Sequence, residues 1–179
     1  MRIYLRHADK QYDNGKSLLF KHDPGITDDG KEQCIQVANN LILKYGLPHI
    51  IVCSPYRRAR ETALMMASIL PNDIIIKCDV RLSEYLGNHR TELLDVTPET
   101  MSFNPPHPES FTKMEERIRS HNDDMKFLDT SNYVIWFITH GLIINRIANS
   151  MAFNIKRKIP CLTSLVIKAN QTFELLLNT

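Results

Sequence analysis

The sequence predicts an α/β protein, a three-layer α/β/α sandwich with a mostly parallel central sheet. Short apolar runs alternate with longer segments in which apolar residues recur three and four positions apart. That alternation is how helices covering a largely parallel sheet read in sequence. Polar residues gather directly after several of the short runs, where open α/β sheets bind ligands. The 179 residues fit one unit, residues 1–179, because no composition shift or linker divides them.

The strand candidates are Ile3 to Leu5, Ile50 to Cys53, Ile74 to Cys78, Tyr133 to Thr139, Ser164 to Ala169 and Thr172 to Leu177. Cys34, Val37, Ala38, Leu41 and Ile42 form an apolar stripe at helical spacing, capped by Thr27 or Asp29. Ala59, Thr62, Ala63, Met66 and Leu70 mark a second helix, with Pro55 as a first-turn proline. Phe111, Met114, Ile118, His121, Met125 and Leu128 mark a third, capped by Ser110 or Thr112. A fourth follows Gly141 and turns Ile143, Ile144, Ile147, Ala148 and Met151 inward, and Asn170-Gln171 joins the last two strands as a hairpin. The Pro-dense stretch from Val96 to Pro108 reads as a loop.

Composition narrows the function. Lys and Arg outnumber Asp and Glu by 22 to 20, and so small an excess is not the electrostatic footprint of a dedicated nucleic-acid binder. The four cysteines, Cys34, Cys53, Cys78 and Cys161, stand far apart without a Cys-x-x-Cys pair, and read as reduced core residues. No signal-like apolar stretch opens the chain, and no run approaches the ~18 residues of a membrane span. The expectation is a cytoplasmic protein that engages neither nucleic acid nor membrane.

Arg6-His7 follows the first strand, Ser54-Pro55-Tyr56-Arg57-Arg58 the second and Thr139-His140-Gly141 the fourth. If these strands are parallel neighbours, the three groups converge on one crevice. Two arginines in a first helical turn oppose the positive end of the helix dipole at about 0.3–1 kcal/mol each, so an anion is expected there. Two imidazoles in an arginine-rich cup suit phosphoryl transfer, whose transition state spreads negative charge over three oxygens. The alternative for the arginines is an outward orientation or a pair with Glu61.

Six blocks carry a family resemblance. Arg6-His7-Ala8 resembles the Arg-His-Gly motif of the histidine phosphatase superfamily, in its phosphoglycerate-mutase-like branch. Ile26 to Gln33 is similar to that branch's Leu-Thr-x-x-Gly-x-x-Gln segment, and Ser54 to Ala63 to its Ser-x-x-x-Arg-Ala-x-x-Thr-Ala block. Arg81 to Glu84 resembles the segment carrying its acid, Pro106 to Ser110 its Pro-Gly-Gly-Glu-Ser loop, and Thr139 to Ile144 its Thr-His-Gly-Gly element. The resemblance implies a phosphomonoester hydrolase that forms a phosphohistidine without metal or other cofactor. It makes His7 the nucleophile, Arg6 and Arg58 the phosphate clamp, His140 the second imidazole and Glu84 the proton donor, with Asp9 the competing acid. Glu109 and Ser110 meet substrate or cap the following helix. The implied partners are a phosphorylated small molecule or phosphoprotein as substrate and inorganic phosphate as product.

Three positions depart from the family pattern: Ala8 and Leu142 replace glycines, and Asn145 stands where arginine is frequent, with Arg146 beside it. Two other functions compete, a phosphoglycerate-type phosphomutase and an inactive module that binds phospholigands. The short interval between Glu84 and His140 leaves little material for a lid and favours the hydrolase. A cysteine phosphatase would need an arginine six positions after Cys53, where Ala59 stands, and no His-Glu-x-x-His or comparable metal-binding pair occurs. Lys10, Tyr12, Lys16, Lys21, His89, Arg90 and Lys156-Arg157-Lys158 are charged-loop candidates for further anionic groups of a substrate.

Overall fold

The computed structural model describes residues 1–11, 23–87, 109–126 and 132–178. The expectations placed on Tyr12, Lys16, Lys21, His89, Arg90, Val96 to Pro108 and Leu128 lie outside these. Among the described residues the chain runs β1 (Arg2–Arg6), α1 (Asp28–Tyr45), β2 (Ile50–Cys53), α2 (Arg57–Ala67), β3 (Ile75–Cys78), a 3₁₀ turn (Val80–Leu82), α3 (Phe111–Met125), β4 (Ile135–Thr139), α4 (Gly141–Ser150), β5 (Ser164–Ile167) and β6 (Phe173–Leu176).

One sheet has the order β3-β2-β4-β1-β5-β6. The first four strands in that order are mutually parallel, and β5 and β6 add an antiparallel edge. Alternation along each strand divides the core. Ile3, Leu5, Ile51, Trp136 and Ile138 pack with Cys34, Ala38, Ala59, Ala63 and Met66 of α1 and α2. Tyr4, Ile135 and Phe137 face the other way, against Met114 and Ile118 of α3 and Ile143, Ile144 and Ile147 of α4. Each such aliphatic or aromatic side chain, when fully buried, contributes about 1.5–3 kcal/mol. The sheet is therefore held from both sides, as expected of three layers.

Local chemistry sets the helix ends. The Thr27 side chain accepts from Gly30 N at 3.0 Å, satisfying one of the first-turn amides of α1, and Asp28 and Asp29 complement the dipole. Gly46 ends the helix at φ 83°, a conformation that costs glycine least. Ser110 caps α3 by accepting from Lys113 N at 3.2 Å. Pro55 departs from expectation: α2 begins at Arg57 with Tyr56 as its N-cap, so the proline lies outside the helix. Cys78 and Cys161 also differ, being only half-buried where core positions were expected, whereas Cys34 and Cys53 are buried.

Register brings the polar groups together. Arg6 pairs with Thr139 and Cys53 with Ile138. The ladder continues past the strand ends, with His7 N donating to Thr139 O at 2.9 Å and Ser54 N to Ile138 O at 2.9 Å. His7, Ser54 and His140 therefore leave three adjacent strands at one level.

Thr27→Ala removes the cap of α1 and is expected to cost about 1 kcal/mol, within the usual range of about 0.5–2. Urea unfolding monitored by circular dichroism checks this, with an unchanged m-value and a lower midpoint as the expected result.

Candidate active site

Arg58 lies at the centre. It sits in the first turn of α2, and its side chain is 8% exposed. Nη1 donates to Asp23 Oδ1 at 3.0 Å, Nε points to His7 Nε2 at 3.2 Å, and Nη2 lies 3.3 Å from His140 Nδ1 and 3.7 Å from Glu84 Oε2. The guanidinium also stacks over Tyr56, 4.6 Å from the ring centroid. Asp23 accepts from the Arg57 backbone amide as well, so its carboxylate serves the N-terminus of α2, whose own N-cap makes no side-chain hydrogen bond. The anion expected at this helix start is thus supplied by the protein itself. Burial raises the Asp23 carboxyl pKa, with Arg57 and Arg58 opposing.

His7 has a defined tautomer. Its Nδ1 lies 2.7 Å from Ala8 O, an acceptor only, so Nδ1 carries the hydrogen and Nε2 keeps its lone pair. Burial, then the charges of Arg58 and His140, push His7 well below its ordinary value of 6.5. The ring is a neutral base at physiological pH. Ala8 is buried and its amide donates to Thr62 Oγ1 at 3.0 Å, which ties the His7 segment to α2.

His140 is fully buried at the start of α4, its ring centroid 5.2 Å from that of His7. Nε2 is 2.8 Å from Ser54 Oγ, and Nδ1 is 3.3 Å from Glu84 Oε2. Burial lowers its pKa to about 4, with Glu84 resisting and Arg58 reinforcing. Burial opposes ionisation of Glu84, but His140 and Arg58 outweigh it and hold the carboxyl well below the ordinary carboxylate range. Glu84 follows the 3₁₀ turn, which is pinned by Thr139 Oγ1 donating to Leu82 O at 2.7 Å and Arg117 Nη1 to Arg81 O at 2.6 Å.

Arg6 approaches from β1. Its Nη1 donates to Ile159 O, while its buried Nε has no hydrogen-bond partner among the described residues, a costly arrangement for a donor. A Cβ at Gly141 would stand 3.4 Å from Arg6 Cδ, which suits the smallest residue at this point. A pocket of about 430 Å³ opens here, lined by Arg6, Glu84, Gly141, Leu142, Asn145, Arg157, Lys158 and Ile159.

Five expected residues, His7, Arg6, Arg58, Glu84 and His140, thus gather in one place. Glu109 and Ser110 make their contacts elsewhere. The buried Glu109 carboxylate takes Arg117 Nε at 3.0 and 3.1 Å, and Ser110 caps α3. Asp9 is exposed and accepts from Lys10 N at 3.0 Å. Arg57 turns outward, 58% exposed, and pairs with Glu61. Sequence reasoning missed Asp23, Ser54 and Thr62 as partners of the site. Ser54 and Thr62 lie in the block already recognised, whereas Asp23 carries only the weak signal of an Asp-Pro pair.

His7, Glu84 and His140 each offer one ligand atom, all within 4.8 Å of one another, a set a metal could use. The Arg58 guanidinium directs hydrogens at two of those atoms, and the charge there favours an anion over a cation.

Such a gap at the carboxyl end of a parallel sheet, bordered by guanidinium and imidazole nitrogens, defines a class: α/β enzymes acting on phosphate esters. The histidine phosphatase superfamily (branch 1) model matches residues 3–161, and the chain belongs to that superfamily. A Hydrogenobacter thermophilus protein named "Putative phosphoserine phosphatase 2" is 31% identical over 152 residues, spanning 78% of this chain and 73% of that protein. A glucosyl-3-phosphoglycerate phosphatase of Mycolicibacterium vanbaalenii is 32% identical over 87 residues, 48% of this chain and 37% of its own. The fold matches a solved mycobacterial glucosyl-3-phosphoglycerate phosphatase in complex with VO3 at a TM-score of 0.68 and 18% identity, covering 99% of this chain and 98% of that one. Among the described residues no helix is long and apolar enough to cross a membrane.

A histidine whose folded pKa is depressed takes up its proton first in the unfolded state, so stability is lost as pH falls below 6.5. For His140 the loss between pH 7 and pH 5 is about 2 kcal/mol. The difference in unfolding free energy between these pH values is expected to shrink by about that amount in His140→Gln, as denaturant titration at both pH values measures.

Proposed function

We propose that the protein hydrolyses phosphomonoesters through a covalent phosphohistidine on His7, using Arg6, Arg58 and His140 as the phosphate clamp and Glu84 as the proton donor. The observation that carries the reading is the His7 tautomer. Nδ1 is committed to Ala8 O, and the Nε2 lone pair faces the gap where Arg58 Nε stands 3.2 Å away. A phosphoryl oxygen entering that gap replaces His7 as the acceptor for Arg58 and satisfies the unpaired Arg6 Nε.

In the first step Nε2 attacks phosphorus, the N–P bond forms and the ester P–O bond breaks. The leaving alkoxide takes a proton from Glu84. That carboxyl is ionised before substrate binds; a phosphate beside it disfavours the charge, so on binding it takes up the proton of a phosphate monoanion or one from solvent. In the second step Glu84 removes a proton from water, the oxygen bonds to phosphorus as the Nε2–P bond breaks, and inorganic phosphate leaves with the His7 lone pair restored. Arginine donors and the His140 ring stabilise the charge on the equatorial oxygens, so the mechanism calls on no metal. The names of the relatives, phosphoserine phosphatase and glucosyl-3-phosphoglycerate phosphatase, support a small phosphorylated metabolite as substrate.

His7→Ala is expected to abolish both turnover of p-nitrophenyl phosphate and labelling by radioactive phosphate ester; the wild-type label should be acid-labile and base-stable. Full activity in that variant removes the assignment. Glu84→Gln is expected to slow hydrolysis of an alkyl phosphate by about 10²–10⁴. Nitrophenolate leaves without a proton, so with p-nitrophenyl phosphate the same variant should release a stoichiometric burst and then stall as phosphoenzyme. Undiminished hydrolysis of the alkyl phosphate, or equal slowing of both substrates with no burst, would remove the acid role from Glu84.

A further inference from the structure

We infer that the pocket beside the phosphate clamp holds a second anionic group of the substrate, and that Arg157 and Lys158 are the residues that select for it. The inference rests on the hydrolase reading and narrows its substrate class to small phosphomonoesters carrying a further carboxylate or phosphate.

The segment bearing these cations is anchored at both ends. Asn145 Nδ2 of α4 donates to Ile155 O at 3.0 Å, and Arg6 Nη1 donates to Ile159 O. Ile155 and Ile159 are buried, while Lys156, Arg157 and Lys158 between them are exposed. Consecutive Cα atoms are ~3.8 Å apart, so both basic residues stand within two steps of the carbonyl that Arg6 grips. A clamp residue and the basic segment are thereby joined by a direct hydrogen bond. Both cations line the 430 Å³ pocket together with Arg6, Leu142 and Asn145.

Among the described residues, charge in the pocket is unbalanced: Arg6, Arg157 and Lys158 line it, and Glu84 is the one carboxylate. Neither Arg157 nor Lys158 makes an ion pair with a described residue, whereas Arg57, Arg58, Arg81, Arg117 and Arg146 each have one. Burial raises the Cys161 thiol pKa, and Arg6 and Lys158 oppose that rise, so both cations stand near this one thiol. The scissile phosphoryl group takes Arg6, Arg58 and His140, and the cations farther out remain for a second charge. The volume lies within the roughly 300–1,000 Å³ of small-molecule sites, so the occupant is a compact molecule. Asn145 is already held by Ile155 O and by Asn149 Nδ2 at 3.0 Å; it supports the loop, and recognition falls to the two cations.

The test compares substrates matched except for one carboxylate: 3-phosphoglycerate against glycerol 3-phosphate, and phosphoserine against phosphoethanolamine. For wild type, kcat/KM is expected to favour the carboxylated member of each pair by about tenfold or more, with the preference shrinking in 0.5 M salt as screening shortens the reach of the cations. In the Arg157→Ala/Lys158→Ala variant the preference is expected to fall to within about threefold, mainly through KM. Equal wild-type rates within each pair, or a preference that survives in the variant, overturns the inference. Turnover of p-nitrophenyl phosphate by wild type reports on the hydrolase reading separately. If that turnover is absent, calorimetric binding of 3-phosphoglycerate and glycerol 3-phosphate decides: equal affinity for the two overturns the second-anion site, and a preference lost in the variant supports it. A phosphopeptide hydrolysed faster than any small ester also overturns it.

Discussion

The site depends on one buried guanidinium. Arg58 reaches Asp23, His7, His140 and Glu84 with a single rigid fork, and its planar face rests on Tyr56. Removing such a cation from water is expensive, and a buried pair that loses one partner is typically destabilised by about 3–5 kcal/mol. The neighbours of Arg58 are consequently constrained to positions that satisfy it. Asp23 provides the permanent counter-charge. The other donor directions face His7 and His140, whose places a phosphoryl oxygen takes in the proposed reaction.

The electrostatics of the remaining groups follow from that arrangement. His7 and His140 are kept neutral by burial and by the nearby cation, while Glu84 is kept charged despite burial. The Arg58 guanidinium meets the carboxylates of both Asp23 and Glu84, and Arg6 lines the same pocket as Glu84. In the proposed reaction a phosphate beside Glu84 disfavours its charge. Around it lies a ring of support. Asp79 receives His121 Nδ1 at 3.2 Å and Arg81 Nε at 3.0 Å, and Arg117 joins Glu109 to the backbone of the turn before Glu84. Positioning at this precision comes from the packing of α3 against the sheet.

Much of this was legible in the residue order because its causes are local. The apolar stripes of α1 and α4, the caps Thr27 and Ser110, and the run Ile50 to Cys53 depend on spacing and on hydrogen bonds a few residues apart. The family blocks put His7, Arg58, Glu84 and His140 in view. Pro55 was misplaced because a first-turn proline and one just outside the helix look alike in sequence. Cys78 was expected in the core, but β3 is an edge strand, and edge position is a property of sheet order. Glu109 and Ser110 stand equally in sequence for substrate contact and helix capping; Ser110 takes the local cap, and the fork of Arg117 on Glu109 is a contact the residue order does not single out.

By itself the sequence determined which side chains follow each strand and which face of each helix is apolar, since both are set by the fixed periods of 2 and 3.6 residues. The tertiary structure decided the rest. It selected Asp23 as the anion for Arg58, set the His7 ring beside Arg58 and His140, and joined Arg6 to the Ile159 carbonyl next to Lys158. The reason is physical: partners and protonation states are set by distance and burial, and residues 35 or more positions apart acquire those only when the sheet aligns its strand ends.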